Sequence, residues 1–293
     1  MKNIIAIVGP TGVGKTKLSV ELAKKINAEI INADSCQIYK GMNIGTAKIK
    51  EEEKDGVIHH LFDIVEPSVN YTVFDYQKDA RKLIDDIEKR GKRVLFVGGT
   101  GLYLKACLYQ YEFQKEEKEY SFPNYTNEEL YQILQKENIK IDVHKNNRKR
   151  LERLVTKLWN NSILDKKGEV PLYNFTIIGL KTDREKLYSI INDRVDKMMI
   201  EGLEEEVFNF YKKKIQSKAM MTAIGYKELY KYFDGDYKKQ EAIDKIKQNS
   251  RKYAKKQFTF FNHQLPVNWF TTNYENFDKT IDEVYNFLLK EEK

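Results

Sequence analysis

The chain has 293 residues, 41% of them hydrophobic and 12% aromatic, with a formal net charge of +7. These figures describe a folded chain with one sizeable core and room for a smaller unit, and they exclude a disordered one. Two cysteines, Cys36 and Cys107, exclude a disulfide framework and a four-cysteine zinc module. No apolar run is long enough to span a bilayer. The opening Met1-Lys2-Asn3 leads into an apolar run too short for a secretory core, so a reducing, cytoplasmic setting is expected.

In chain order, "IIAIVG" reads as a strand, Lys15–Ile26 as a helix and "AEIINAD" as a second strand. "HLFDIV" and "RVLFVGG" read as two more, flanking a helix around Phe74–Arg90. "NFTIIGL" and the weaker "VNWF" add later strands. Strands alternating with helices predict an α/β fold: a parallel sheet with helices on both faces. From Gln110 to Pro171 the texture turns polar and Lys/Glu-rich, with helical spacing at Asn127–Lys136 and Asn147–Leu158. This predicts a mainly helical insertion, residues 111–171, between core segments 1–110 and 172–293. Two long helices, Arg184–Ile200 and about Gln240–Phe261, follow.

Between the first strand and the first helix lies "GPTGVGKT": Gly9, Pro10, Thr11, Gly12, Val13, Gly14, Lys15 and Thr16. It matches the phosphate-binding loop G-x-x-x-x-G-K-[ST] in the required context. The glycines let backbone N–H groups converge on phosphate oxygens at a helix N-terminus. Lys15 supplies a charge, and the Thr16 hydroxyl is placed to ligate Mg²⁺. The loop predicts a bound di- or triphosphate and is silent on the reaction.

Asp34 closes the second strand at its carboxyl end, where open parallel sheets bind ligands. A general base, a metal ligand and a helix cap are all open readings. Thr100, in "VGGTGLYLKA", faces the same sheet edge after another strand. Arg194 falls inside the apolar stripe of Leu187, Ile190, Ile191 and Met198, where a guanidinium needs an anion. A salt bridge, a snorkelling side chain and a bidentate clamp on the loop's phosphates are the readings. Arg150, Arg153 and Lys157 line one flank of a helix, and Lys245–Gln257 holds six basic residues and no acid. Such faces are usually just solvated, but two of them on a phosphate-binding core point toward nucleic acid. His59-His60 lacks an accompanying ligand cluster and reads as structural.

Together "GPTGVGKT", "DSCQIYKGMNIGTAK", "HHLFDI", "VGGTGLYLKA", "RVDKMMIEGLEEEV", "AIGYKEL" and "SRKYAKKQFTFF" resemble the tRNA dimethylallyltransferases in order and spacing. These are also called tRNA adenosine isopentenyltransferases. The resemblance spares only Tyr109–Asp142. It implies a P-loop NTPase-like core and Mg²⁺-dependent transfer of a dimethylallyl group from dimethylallyl diphosphate. The acceptor would be the N6 amine of the adenosine 3′ of the anticodon, flipped out of the tRNA loop, and pyrophosphate would leave. By the same resemblance Asp34 is the general base, Thr100 flanks the reacting centre and Arg194 binds pyrophosphate. Ser35, Cys36 and Gln37 contact the nucleotide, and Thr11–Thr16 hold the diphosphate. The tRNA-contacting stretches hold Lys149, Arg150 and Arg153, then Thr222 and Lys227, then Lys255 and Lys256. Ile49 stands where the family has proline and Lys256 where arginine is common; the insertion is abbreviated. A bacterial-type, monomeric enzyme is expected. A small-molecule P-loop kinase and an adenylate isopentenyltransferase share the core motif and are the alternatives.

Overall fold

Residues 3–113, 120–137, 143–160 and 169–291 are described by the computed structural model. Among them, six strands form one parallel sheet: β1 (Ile4–Val8), β2 (Ala28–Asn32), β3 (His59–His60), β4 (Arg93–Val97), β5 (Phe175–Lys181) and β6 (Val267–Thr271). Their order across the sheet is β3-β2-β4-β1-β5-β6. Both faces are buried because the strands lack polar alternation. Ile4, Ala6 and Val8 of β1 join Ile31, Phe96 and Ile177 in one core, and Ile5 and Ile7 join Ile30, Leu95 and Ile178 in the other.

Helix α1 (Lys15–Ile26) covers the second face through Leu18 and Leu22. Helices α2 (Val73–Lys89) and α3 (Gly101–Leu108) cover the first. Thr72 starts α2 with a reciprocal cap: its hydroxyl accepts Asp75 N–H, and the Asp75 carboxylate accepts Thr72 N–H at 2.8 Å. The chain divides into two units, Met1–Tyr109 with Pro171–Lys293, and Gln110–Val170. The second unit holds α4 (Asn127–Lys136) and α5 (Arg148–Trp159) around Phe122, Leu130, Leu134, Leu151 and Val155. Of the sequence "KIDVHKNNRKR", Lys140–Asp142 lie outside the described residues, as do 114–119 and 161–168.

Back in the first unit come α6 (Arg184–Ile200), α7 (Leu203–Lys212), α8 (Lys218–Thr222), α9 (Tyr226–Phe233), α10 (Lys239–Gln264) and, after β6, α11 (Phe277–Glu291). A third core gathers Ile38 and Met42 with Val195, Leu203, Tyr226, Leu229 and Ile246. The strand expected at "HLFDIV" is a correction. Only His59–His60 pairs as a strand, because Leu61 and Asp63 adopt left-handed backbone (φ 62° and 53°) and turn the chain away. A single parallel bridge, Tyr39 to Val65, resumes beyond the turn.

One carboxylate ties three distant segments together. Glu206 of α7 accepts the N–H groups of Asn43, Ile44 and Gly45 at 3.0, 2.8 and 3.1 Å, and the Tyr226 hydroxyl at 2.5 Å. Converging backbone donors need an anion, and here the protein supplies it. Glu206→Ala leaves those donors without their acceptor and should lower unfolding free energy by about 2–4 kcal/mol in urea titrations. A loss within about 0.5 kcal/mol, the range of ordinary surface changes, would deny the carboxylate this role.

Candidate active site

The carboxyl ends of β1, β2 and β4 are laced together. Ala33 N–H donates to Val97 O (2.7 Å), Gly98 N–H to Ile7 O (3.2 Å) and Thr100 N–H to Ala33 O (3.0 Å). The approach is close enough to require glycine: a Cβ on Gly98 would lie 2.2 Å from the Ala33 carbonyl carbon. This lacing sets Asp34 and Thr100 side by side. Asp34 Oδ1 accepts Cys36 N–H at 3.0 Å, a local turn bond, while Oδ2 has no hydrogen bond from the described residues. The turn-forming role therefore occupies one oxygen and leaves the other for chemistry. Thr100 Oγ1 accepts Ser35 N–H (3.0 Å) and donates to Ser35 Oγ (3.2 Å), so it braces Ser35 and is not itself part of the cavity wall.

The glycine-rich loop runs from β1 to α1. Gly14 precedes the helix in left-handed backbone (φ 89°), with no side-chain cap and no acid in the first turn of α1. Among the described residues no hydrogen bond engages the backbone N–H groups of Gly12, Val13 or Gly14. An uncapped helix N-terminus with free N–H groups is an anion site in waiting. Lys15 Nζ donates to Pro10 O at 2.7 Å, and Thr16 is exposed.

Loop and strand ends open into a cavity of about 1100 Å³, all of it within the first unit. Thr11, Gly12, Gly14, Lys15 and Thr16 line it with Asp34, Ser35, Cys36, Gln37 and Arg194. Further round lie Thr222, Lys227, Lys256 and Gln257. Arg194, expected from the sequence inside the apolar stripe of its helix, lies on α6 at this cavity. Ile191, Val195 and Met198 of α6 are buried, and the guanidinium leaves that face into the cavity. Among the described residues no carboxylate forms an ion pair with it. Desolvation lowers its pKa, opposed by the field of Asp34. Desolvation, then the charge of Arg194, brings Lys15 down to about 8, again opposed by Asp34. Lys15, Arg194 and Asp34 thus share the space, and among the described residues none of the three forms an ion pair with another.

The remaining expected residues divide. Gln37 Nε2 donates to Thr46 O at 3.0 Å, fixing its side chain on the cavity wall. Burial pushes the Cys36 thiol up to about 12, with Asp34 adding to it, so it is no nucleophile. Thr222 spends its hydroxyl on Lys218 O (2.7 Å), and Lys227 lies 3.7 Å from Glu228. Lys256 is exposed at the cavity; Lys255 is exposed and does not line it. Lys149, Arg150 and Arg153 belong to the second unit, exposed on α5. His59 bonds Val57 O and His60 bonds Glu29, a structural pair.

Gln257 was not singled out from sequence. It is buried, its Nε2 donates to Gly99 O at 2.9 Å, and its Oε1 has no partner among the described residues. Tyr253, one turn earlier and partly exposed, faces Thr100 and Gln257, and partial desolvation with the Asp34 charge raises its pKa. Helical spacing from Phe261 through Gln257 to Tyr253 was the available signal. The exposed Thr16 hydroxyl is a hard oxygen donor of the kind Mg²⁺ takes.

A Lys15 amine titrating near pH 8 should be measurable. Its acylation rate, followed by mass spectrometry across pH, should show a midpoint near 8, and Arg194→Ala should move the midpoint upward by removing a neighbouring positive charge. The folded pKa lies below the unfolded value, so this group adds stability as pH rises from about 8 toward its ordinary 10.5. A midpoint left at 10.5 in both proteins would contradict the electrostatics described.

A sequence model of the family described as "IPP transferase" matches residues 37–264. The tRNA dimethylallyltransferase of Anoxybacillus flavithermus is 44% identical over 98% of this chain and 96% of its own length. The solved full-length tRNA isopentenylpyrophosphate transferase of Bacillus halodurans superposes with a TM-score of 0.79 at 41% identity, over 99% of this chain and 96% of that one. A eukaryotic dimethylallyltransferase solved acting on tRNA gives 0.81 at 25% identity, over 99% and 80%. With the matched residues spanning most of its length, the chain belongs to the IPP transferase family.

Proposed function

We propose that the chain transfers the dimethylallyl group of dimethylallyl diphosphate to the N6 amine of the adenosine 3′ of the anticodon in tRNA, releasing pyrophosphate. The observation that carries this reading is the cavity in which, among the described residues, Lys15 and Arg194 have no anion paired with them and one carboxylate oxygen of Asp34 accepts no hydrogen bond. A diphosphate supplies the missing negative charge. The relatives' printed names supply the prenyl group and the tRNA.

The loop N–H groups, Lys15 and Arg194 would hold the diphosphate, with Arg194 gripping two oxygens at once. The N6 nitrogen attacks the carbon bearing the diphosphate, the carbon–oxygen bond breaks, and pyrophosphate leaves with the bonding pair. Asp34 takes the proton that the amine must lose. Lys15 and Arg194 stabilise charge as it builds on the leaving group, which is where such groups act most strongly. Thr16 would hold Mg²⁺, which would supply further charge neutralisation. Ser35, braced by Thr100, and Gln37 would border the flipped base. Loop, base and clamp come from one chain, so the reading requires no second copy. No helix among the described residues is long and apolar enough to cross a membrane.

The deciding assay offers labelled dimethylallyl diphosphate with Mg²⁺ to tRNA or to AMP, with ATP as a parallel donor. Label appearing in tRNA alone is expected. Label in AMP, or phosphate transferred from ATP, would replace this reading. In that assay Asp34→Ala should lower kcat roughly 10²–10⁴-fold with tRNA affinity little changed. Turnover near that of the unaltered protein would remove Asp34 from the proton step.

The exposed Arg150 and Arg153 would meet tRNA phosphates. Each phosphate contact removed flattens the slope of log K against log salt by roughly 0.7–0.9. Arg150→Ala/Arg153→Ala should therefore bind tRNA less tightly with a shallower slope, at unaltered dimethylallyl diphosphate affinity. Superimposed salt series would return both arginines to ordinary solvated surface.

A further inference from the structure

The segment after β6 reaches the far side of the phosphate loop. Thr272 Oγ1 donates to Val13 O at 2.9 Å, in a buried bond, and the Tyr274 hydroxyl donates to Gly12 O at 3.3 Å. The Phe277 ring lies against Gly14, where a Cβ would be 2.4 Å from it. The segment is itself held. Thr272 N–H donates to Lys181 O at 2.9 Å, Thr280 Oγ1 accepts Asn273 N–H at 2.9 Å, and Asn273 Oδ1 accepts the N–H groups of Glu275 and Asn276.

A trans peptide is planar, and its carbonyl and N–H point in opposite directions. The Gly12 carbonyl shares a peptide plane with Val13 N–H, and the Val13 carbonyl shares one with Gly14 N–H. Holding the two carbonyls from behind therefore aims the two N–H groups forward. Neither N–H has a partner among the described residues. A hydroxyl donated to the carbonyl also polarises the peptide, making its N–H a stronger donor. We infer that Thr272 and Tyr274 are positioning residues for diphosphate binding, aiming the loop's N–H groups at the anion from outside the cavity. This rests on the reading of the loop as a diphosphate site. Both residues lie beyond residues 37–264 of the family match, as does the loop they brace, so the match assigns them nothing.

The test titrates the full chain calorimetrically with inorganic pyrophosphate and Mg²⁺, as unaltered protein, Thr272→Val, Thr272→Ser and Tyr274→Phe. Losing one neutral hydrogen bond should weaken pyrophosphate roughly 3- to 10-fold in Thr272→Val and less in Tyr274→Phe, whose bond is longer. Thr272→Ser, which keeps the hydroxyl, should restore binding. In the prenyl-transfer assay the same variants should raise KM for dimethylallyl diphosphate more than they lower kcat, with tRNA affinity unchanged. Thr272→Val binding pyrophosphate like the unaltered protein would overturn the inference and leave the diphosphate reading standing. So would equal losses in Thr272→Val and Thr272→Ser, since that pattern reports packing and not the hydroxyl. Unaltered protein that ignored pyrophosphate would overturn both.

Discussion

Lys15 and Arg194 bring like charges into one desolvated cavity, and Asp34, the carboxylate whose field opposes both, pairs with neither. Much of the rest of the architecture serves to keep that arrangement from relaxing. Left free, Arg194 would swing to water and Lys15 would find a carboxylate. Instead α6 emerges from the third core with Ile191, Val195 and Met198 buried, which fixes the side of the helix from which the guanidinium projects. Lys15 opens α1, whose Leu18 and Leu22 are anchored under the sheet. The charge imbalance is therefore a property of rigid elements, and under the proposed function a ligand anion would relieve it without the protein having to reorganise.

The same logic separates what binds from what supports. Glu206 provides an anion where the sequence turns three N–H groups inward at Asn43–Gly45, so that loop is neutralised from within. The glycine-rich loop has N–H groups of the same kind and no such partner among the described residues. One nest is filled and closed; the other is held open from behind.

Much of this arrangement is legible in the sequence. The bounds of α1, α4 and α6 followed from apolar spacing, and the stripe on α6 pointed to Arg194 because a charge inside a period of 3.6 is a local contradiction. The strand expected at "HLFDIV" failed because periodicity does not register a left-handed backbone at Leu61, where no glycine announces it. Helices α7 to α9 and α11 went unread, and with them Glu206, Thr272 and Tyr274. Their roles lie in bonds spanning more than a hundred residues of sequence, to partners that are backbone atoms. A backbone carbonyl has no letter in the sequence. Gln257 stayed hidden for a related reason, its amide being committed to Gly99 O, 158 positions away.

The chain leaves and re-enters the first unit through one small seam. Tyr109 and Pro171 form an antiparallel bridge, and Leu172 N–H donates to Leu108 O at 2.8 Å. Gln110 N–H and Val170 O close the second unit at its own base, at 2.8 Å. Because both ends of the excursion are stapled, the number of residues between them is nearly decoupled from the sheet. Doubling the excursion would add only about 0.6 kcal/mol of closure entropy. The seam therefore works as a socket. Evolution can lengthen, shorten or rebuild what is plugged in there, while the spacing of Asp34, Lys15 and Arg194 stays under the control of a sheet that does not register the change.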